Sequence, residues 1–187
     1  MLTLLTQSAD YPVSKDDLCE AIKVSHDDDN FVLLGLIASE TQRYEAFTGR
    51  VMRLCTYELK LDRLMDPITL PVTPVREVTK FAYLDADDVE QTIASSDWYT
   101  RPGIAGTDIW FAEGFSVPTL SSQALPVSIT FSAGYFTPSE DITIPALAPM
   151  ETDQRNIIAL IQRIYDEDKP MTEAEMREIM GHRRVFR

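Results

Sequence analysis

The sequence predicts an α+β fold: a mainly helical frame of about four helices, with a small antiparallel β insertion between helices two and three. Apolar residues recur at helical spacing before residue 50 and after residue 150, whereas between these positions they alternate with polar ones. Prolines 138, 145 and 149 separate the two regimes. The predicted parts are an N-terminal helical part (1–53), a β-rich insertion (54–149), and C-terminal helices with a basic tail (150–187) that pack with residues 1–53.

Two helices are predicted in the N-terminal part. Ser14 and Asp17 form a capping arrangement before an apolar stripe, which indicates a short first helix. The acidic run 27–29 supplies cap candidates and negative charge for the start of a second helix, and Gly49 stands where a glycine would end it. The apolar stripe of that second helix is Leu33, Leu34, Ile37, Ala38, Thr41 and Tyr44.

The central third of the chain has the period of two that is typical of half-buried strands. Apolar and polar residues alternate over 57–61, 79–83 and 127–132. Residues 98–99 and 109–111 look like shorter strands separated by turn-rich sequence. The acidic cluster of Asp85, Asp87, Asp88 and Glu90 predicts a solvated hairpin loop. The sequence therefore predicts a small antiparallel β unit.

Two more helices are predicted after residue 150. Ile157, Ile158, Ile161, Ile164 and Tyr165 form the apolar stripe of a long third helix. It ends at Lys169-Pro170, after which Thr172 and Glu175 match a capping box, with Met171 and Met176 as its hydrophobic staple. A short fourth helix is expected to run to Gly181.

Composition excludes several classes of function. Thirty acidic against seventeen basic residues give a formal net charge of −13, which disfavours non-specific binding to DNA phosphates. The longest apolar run, 31–38, is too short to span a bilayer, and no basic residue precedes Lys15, so neither a membrane span nor an export signal is expected. Cys19 and Cys55 have no metal-binding spacing and predict buried thiols in a reducing cytoplasm.

No catalytic, cofactor-binding or metal-binding residues are predicted, and the chain is not expected to be an enzyme. Its two histidines are isolated, and the sequence has no nucleophile elbow, P-loop or dinucleotide-binding motif. Trp98, Tyr99 and Trp110 leave one alternative of a different class: a carbohydrate-binding module or hydrolase whose sugar groove they would line.

Several strings, taken in order, point to a family. Residues 45–50 close the second helix, 68–78 lead into a strand, 127–135 end in Ala-Gly-Tyr, and Ile144-Pro145 precedes a helix containing Ile-Tyr-Asp-Glu at 164–167. In this order and spacing, residues 14 to 168 resemble the head-tail connector, or adaptor, family of tailed bacteriophages, whose members also occur in gene transfer agents.

The resemblance implies a structural virion protein located in the virion neck and assembled in the host cell cytoplasm. Such a protein forms a ring, typically of twelve copies, beneath the portal protein, extends the DNA channel and joins capsid to tail. Its partners would be other copies of itself, the portal protein and a stopper or tail-side connector. Genomic DNA would pass through the lumen without specific binding, aided by an acidic wall. A stopper or other tail-side connector is the alternative within the neck.

Three groups of residues are predicted to carry these roles. Exposed members of the apolar faces of helices two and three would form the subunit interface: Leu34, Ala38, Tyr44, Ile161 and Tyr165. Turn and edge positions would act as scaffold: Gly49, Pro71, Pro74 and Gly134. The basic and aromatic C-terminal tail would dock onto the portal: Arg183, Arg184, Phe186 and Arg187.

Overall fold

The computed structural model describes residues 1–25, 28–103, 106–135 and 151–180, which contain eight strands and four helices. The strands are β1 (Leu2–Gln7), β2 (Cys55–Leu61), β3 (Ile68–Leu70), β4 (Val75–Leu84), β5 (Glu90–Thr92), β6 (Trp98–Pro102), β7 (Thr107–Phe111) and β8 (Val127–Ala133). The helices are α1 (Lys15–Ile22), α2 (Asn30–Thr48), α3 (Glu151–Glu167) and α4 (Glu173–Met180).

The chain divides into two compact units. One, the β unit, comprises Met1–Ser8 and Leu54–Gly134 and contains every described strand. The other, the helical unit, comprises Ala9–Arg53 and Tyr135–Arg187 and contains the four helices. The N-terminal strand therefore belongs to the β unit, although the first two helices come directly after it in the chain.

The prediction of a mainly helical frame with a small β insertion is wrong. The fold is a mixed α+β structure whose eight described strands form two antiparallel sheets, one of five strands and one of three. Three strands were not among the predicted alternating stretches: β1 has leucines at adjacent positions 4 and 5, and β3 and β5 are only three residues long. All three pair with a neighbouring strand, which is a tertiary effect.

The five-stranded sheet has the order β1-β2-β8-β4-β5, with every pair antiparallel. On one face Leu59 of β2, Ile129 of β8 and Phe81 of β4 lie side by side, because Ile129 pairs with both of the others. All three are buried. The opposite face carries polar residues such as Glu58, whose carboxylate accepts a hydrogen bond of 2.9 Å from the Ser128 hydroxyl.

Aromatic rings connect the two sheets of the β unit. The three-stranded sheet has the order β3-β7-β6. The ring of Phe81, on the larger sheet, lies 6.0 Å from Trp98 and 5.9 Å from Phe111, on the smaller one. Phe81 is only 1% exposed, so this cluster is the part of the core where the two sheets meet.

In the helical unit, local capping chemistry sets the helix ends. Ser14 accepts a hydrogen bond from the amide of Asp17 at the start of α1, as the sequence predicts. Gly49 ends α2 with φ of 68°, and its amide donates to the carbonyl of Glu45 at 2.9 Å. The helices enclose a core whose fully buried members include Leu18, Leu33, Ile37, Ile157 and Leu160.

The start of α4 is the capping box that the sequence predicts. The Thr172 hydroxyl accepts from the Glu175 amide at 3.3 Å, and the Glu175 carboxylate accepts from the Thr172 amide at 2.7 Å. Met171 and Met176 are 7% and 1% exposed and both belong to the helical core. The staple residues therefore anchor the helix while the cap satisfies its backbone.

This box predicts an acid-dependent loss of stability. Hydrogen bonds from the Thr172 amide and hydroxyl hold the pKa of Glu175 below its ordinary 4.5. Because the folded pKa is the lower one, the carboxylate contributes stability above pH 4.5, and this contribution disappears as the pH falls through the folded value.

Glu175→Gln is expected to remove that part of the acid dependence in thermal unfolding followed by circular dichroism. Glu178→Gln, at an exposed position of the same helix, is the control; an equal change in both variants would contradict the assignment.

Candidate functional site

The strongest cluster of ionisable groups is a buried network where the end of α2 meets the start of α3. The Tyr44 hydroxyl donates to Asp153 Oδ1 at 2.5 Å, and the Arg50 guanidinium pairs with Asp153 Oδ2. Arg50 also lies over the Tyr135 ring, 5.0 Å from its centroid. Tyr44 and Asp153 are both 0% exposed. Because the Tyr44–Asp153 hydrogen bond joins α2 to α3 and is fully buried, the network locks the two helices together.

The acidic β4–β5 loop is a hydrogen-bonded turn. Asp85 Oδ1 accepts the amides of Asp87 and Val89, each at 3.0 Å, and Oδ2 accepts from the Gln91 side chain at 2.8 Å. These bonds, the one from Gln91 foremost, hold the pKa of Asp85 below its usual range. In the part of the chain that the structure describes, no group of three or more His, Cys, Asp or Glu residues is arranged to hold a metal ion. The carboxylate of Asp85 shapes the turn.

The three aromatic residues that could have lined a sugar groove do not share a face. Trp98 points toward Phe81 in the core of the β unit, with the rings 6.0 Å apart. Tyr99 and Trp110 are directly paired across β6 and β7, so alternation places both on the opposite face of that sheet. Arg101 covers the Tyr99 ring, 4.9 Å from its centroid. The structure therefore does not bring these three rings together.

The first half of α2 exposes an apolar surface. Phe31 is 89% exposed, and Val32 and Leu34 are each 53% exposed. We call these three residues the α2 patch. The same turns bury Leu33 and Ile37, so the helix is apolar on opposite sides and residues 30–39 carry no charge. A Cβ added at Gly35 would meet nothing within 4 Å, which leaves the outer side open to a partner.

A groove adjoins the α2 patch inside the helical unit. It has a volume of about 300 Å³ and is lined by residues 9–11, Val13, Ser14, Lys15, Leu34 and Ile37. Tyr11 and Val13 supply part of an apolar wall, and Leu34 belongs both to the groove and to the patch. The groove extends the surface that a docking side chain could occupy.

A second apolar surface lies on the edge strand β1. Met1, Leu2, Leu4 and Leu5, which we call the β1 patch, are 71%, 40%, 47% and 50% exposed. Among the described strands β1 pairs with β2 alone, so its other edge carries no strand. The Lys60 amide donates to the Met1 carbonyl at 2.8 Å. Since an antiparallel ladder alternates, the backbone groups of Leu2 then point to the open edge.

The five predicted interface residues have different environments. Leu34 is 53% exposed, and Ala38 is partly exposed on the same helix. Tyr44 and Ile161 are 0% exposed and lie in the core of the helical unit, where they offer no surface to a neighbouring subunit. Tyr165 is partly exposed, and its hydroxyl donates to Asp29 at 2.8 Å, a bond that raises the pKa of the Tyr165 phenol.

The predicted scaffold residues lie at bends of the backbone. Gly49 and Gly134 have φ of 68° and 110°, conformations that favour glycine. The Gly134 amide donates to the Pro74 carbonyl at 2.8 Å, and Pro71 directly follows β3. The predicted portal-docking residues Arg183, Arg184, Phe186 and Arg187 lie outside the described residues.

No helix in the described ranges is long and apolar enough to cross a membrane. No protein-family model matches the chain, and no curated protein matches it either. Solved structures do match, among them three that each match over 100% of this chain and 96% of theirs. They are the neck of an empty gene transfer agent particle computed with C6 symmetry (19% identity, TM-score 0.70), the virion of a native particle (20%, 0.71), and the neck of a native particle computed with C12 symmetry (21%, 0.71).

The chain has the fold of a gene transfer agent particle protein. This likeness covers residues of both units, because it extends over the whole chain. The sequence identities of 19% to 21% explain why the likeness is visible in structure although no family model matches.

Sequence reasoning missed Phe31, Val32 and the β1 patch. For α2 the signal was present: an uncharged run of ten residues, 30–39, makes a helix apolar on every side, which one core-facing stripe does not explain. For β1 the signal was weaker, because three leucines in residues 2–5 fit neither helical spacing nor strand alternation.

Proposed function

We propose that the chain is a structural component of a virion neck: an adaptor whose copies form a ring beneath the portal and join capsid to tail. The observation that carries this proposal is the likeness over the full chain to proteins of gene transfer agent necks. Two polar clusters among the described residues also support a structural role. The buried network around Asp153 and the turn around Asp85 both use their hydrogen bonds to stabilise the fold.

The ring is supported by the symmetry of the assemblies that contain the similar chains. These necks were computed with C6 and C12 symmetry. A ring with cyclic symmetry requires a heterologous interface, in which one surface of each copy meets a different surface of the next. The α2 patch and the β1 patch are two such different surfaces.

The proposed role in the DNA channel depends on the net negative charge of the chain. The formal net charge of −13 would give a ring a strongly negative field, and acidic side chains along the lumen would repel the DNA backbone and allow it to slide. If the lumen of an assembled ring is lined by neutral or basic side chains, this part of the proposal fails.

The basic tail is proposed to hold the portal. Deleting residues 182–187 removes three arginines and one phenylalanine from an acidic chain, and is expected to abolish capsid joining while leaving the fold intact. Circular dichroism would test the fold, and co-sedimentation with portal-bearing particles would test joining. A truncated chain that joins capsids normally would refute this role.

The proposed function is tested by analytical ultracentrifugation of the protein alone and mixed with its portal protein, followed by electron microscopy of the mixture. We expect a ring of this chain seated directly against the portal. A ring that binds only the distal, tail-side end of the neck would support the stopper or tail-side alternative. If no ring forms in either condition, the proposal fails.

A further inference from the structure

We infer that the α2 patch of each copy covers the β1 patch of the next copy around the ring. This inference rests on the proposed function, because it names the surfaces through which the ring closes.

The distribution of exposed apolar side chains is the first reason. In the described part of the chain eleven large hydrophobic residues are exposed, and seven of them belong to these two patches. The other four, Met65, Val89, Tyr99 and Val117, lie at separate points of the sequence.

The β1 patch has the chemistry of an edge that a partner covers. Exposed edge strands are normally protected by charged residues or proline, or are covered by a helix or a loop. Residues 2–7 contain no charged residue and no proline. Leu2 and Leu4 pair with Leu59 and Tyr57 of β2, so they continue the apolar face of the sheet to its open edge. An edge of this kind promotes aggregation unless another surface covers it.

The α2 patch has the shape and chemistry of such a cover. Phe31 is 89% exposed although it stands in an ordered helix whose next residues include the buried Leu33. Phe31 and Leu34 are three residues apart, which places them on one side of the helix. That side is uncharged and continues into the groove beside Leu34. A helix face of this type is one of the elements that cover sheet edges in proteins.

The two patches together meet the requirement of a closed ring. A heterologous interface needs two unlike surfaces on every copy, and a surface that binds only itself gives a dimer and stops. One patch is on a helix of the helical unit and the other is on a strand of the β unit, so they are unlike in structure but alike in consisting of apolar side chains. Pairing them between copies covers both at once.

Two double variants test the pairing. Phe31→Glu with Leu34→Glu places charge on the α2 patch, and Leu2→Glu with Leu4→Glu places it on the β1 patch. All four side chains are at least 40% exposed, so circular dichroism and tryptophan fluorescence should show both variants to be folded. Val117→Glu, at an isolated side chain that is 61% exposed, is the matched control. Assembly is measured by sedimentation, alone or on the portal, in whichever condition the unchanged protein assembles.

Each double variant alone is expected to associate at least about tenfold more weakly than the control, since two charges must be desolvated at the contact. An equimolar mixture of the two is expected to form a pair, because one variant retains an intact β1 patch and the other an intact α2 patch. The pair cannot grow into a ring. On the portal, the same effect would appear as a higher occupancy for the mixture than for either variant.

The outcomes separate the inference from the proposed function. If the unchanged protein assembles in neither condition, both fail. If it assembles and either double variant assembles equally well, the inference alone fails. Two monomeric variants whose mixture also stays monomeric would show that the patches contact something other than each other, which again overturns the pairing. Monomeric variants that form a mixed pair would support it.

Discussion

Replacing Asp153 with alanine is expected to lower the free energy of unfolding of the helical unit by about 3–5 kcal/mol, because it breaks a buried ion pair and leaves the other partner without its counter-charge. Asp153 is 0% exposed, accepts from the Tyr44 hydroxyl at 2.5 Å and pairs with Arg50. Its loss would leave the Arg50 guanidinium partly buried and the Tyr44 hydroxyl without its acceptor. Thermal unfolding followed by far-ultraviolet circular dichroism, which the helices dominate, measures the effect.

The matched control for Asp153→Ala lies two residues further along the same helix. Arg155 pairs with Glu151 at 2.5 Å, but both side chains are more than 70% exposed, so Arg155→Ala should change stability by less than about 1 kcal/mol. Asp153→Asn keeps the size of the side chain and an acceptor for Tyr44 but removes the charge. We expect it to fall between the two. Equal effects of Asp153→Ala and Arg155→Ala would mean that the buried network does not lock α2 to α3.

Replacing Phe81 with alanine is expected to destabilise the β unit by about 3–5 kcal/mol, the usual cost of removing a buried aromatic ring and leaving a cavity. Phe81 is 1% exposed and its ring contacts Trp98 and Phe111 of the other sheet, so the cavity would open where the two sheets meet. Both tryptophans of the chain, Trp98 and Trp110, lie in this unit. Denaturant unfolding followed by tryptophan fluorescence therefore reports on the unit that the substitution affects.

Tyr99→Ala is the control for Phe81→Ala. Tyr99 is 39% exposed and lies on the opposite face of β6 from Trp98, so its removal leaves no closed cavity and should cost less than about 1 kcal/mol. If Phe81→Ala costs no more than Tyr99→Ala, the ring of Phe81 does not carry the packing between the sheets.

The two substitutions also probe whether the units unfold separately. Asp153→Ala acts within the helical unit and Phe81→Ala within the β unit. If each unit unfolds by itself, each substitution shifts one signal, circular dichroism or tryptophan fluorescence, more than the other. If the chain unfolds as one cooperative whole, both signals shift together in both variants.

How much of this protein could be predicted from the sequence depended on how local the stabilising interactions are. The cap at Ser14, the Gly49 end of α2 and the Thr172–Glu175 box were predicted correctly, because each joins residues within four positions of one another. Strands β2, β4 and β8 were predicted because one buried face imposes alternation. The balance between helix and sheet was predicted wrongly, because β1 depends on pairing with residues 55–59, some fifty positions away.

The candidate site, too, was predicted only in part from the sequence. The apolar stripe of α2 predicted both Leu34 and Tyr44 as interface residues. Periodicity identifies the apolar residues of a helix, but it does not distinguish a face that packs in the core from one that is exposed. In the folded chain Tyr44 is 0% exposed and bonded to Asp153, whereas Leu34 is 53% exposed. Phe31 is the most exposed of all the described large hydrophobic residues and was passed over because it stands beside the predicted stripe.

By itself, the sequence determined the start of α1, the end of α2 and the start of α4, several alternating strands, and the order of motifs that resembles the phage connector family, because these depend on short-range chemistry and spacing. The tertiary structure decided that the N-terminal strand joins a sheet formed by the middle of the chain, and that apolar residues of α2 and β1 are exposed in the part of the chain that the structure describes. The physical reason is that burial depends on which distant segments pack together. The local sequence around an apolar side chain does not indicate whether its own chain or a neighbouring copy will cover it.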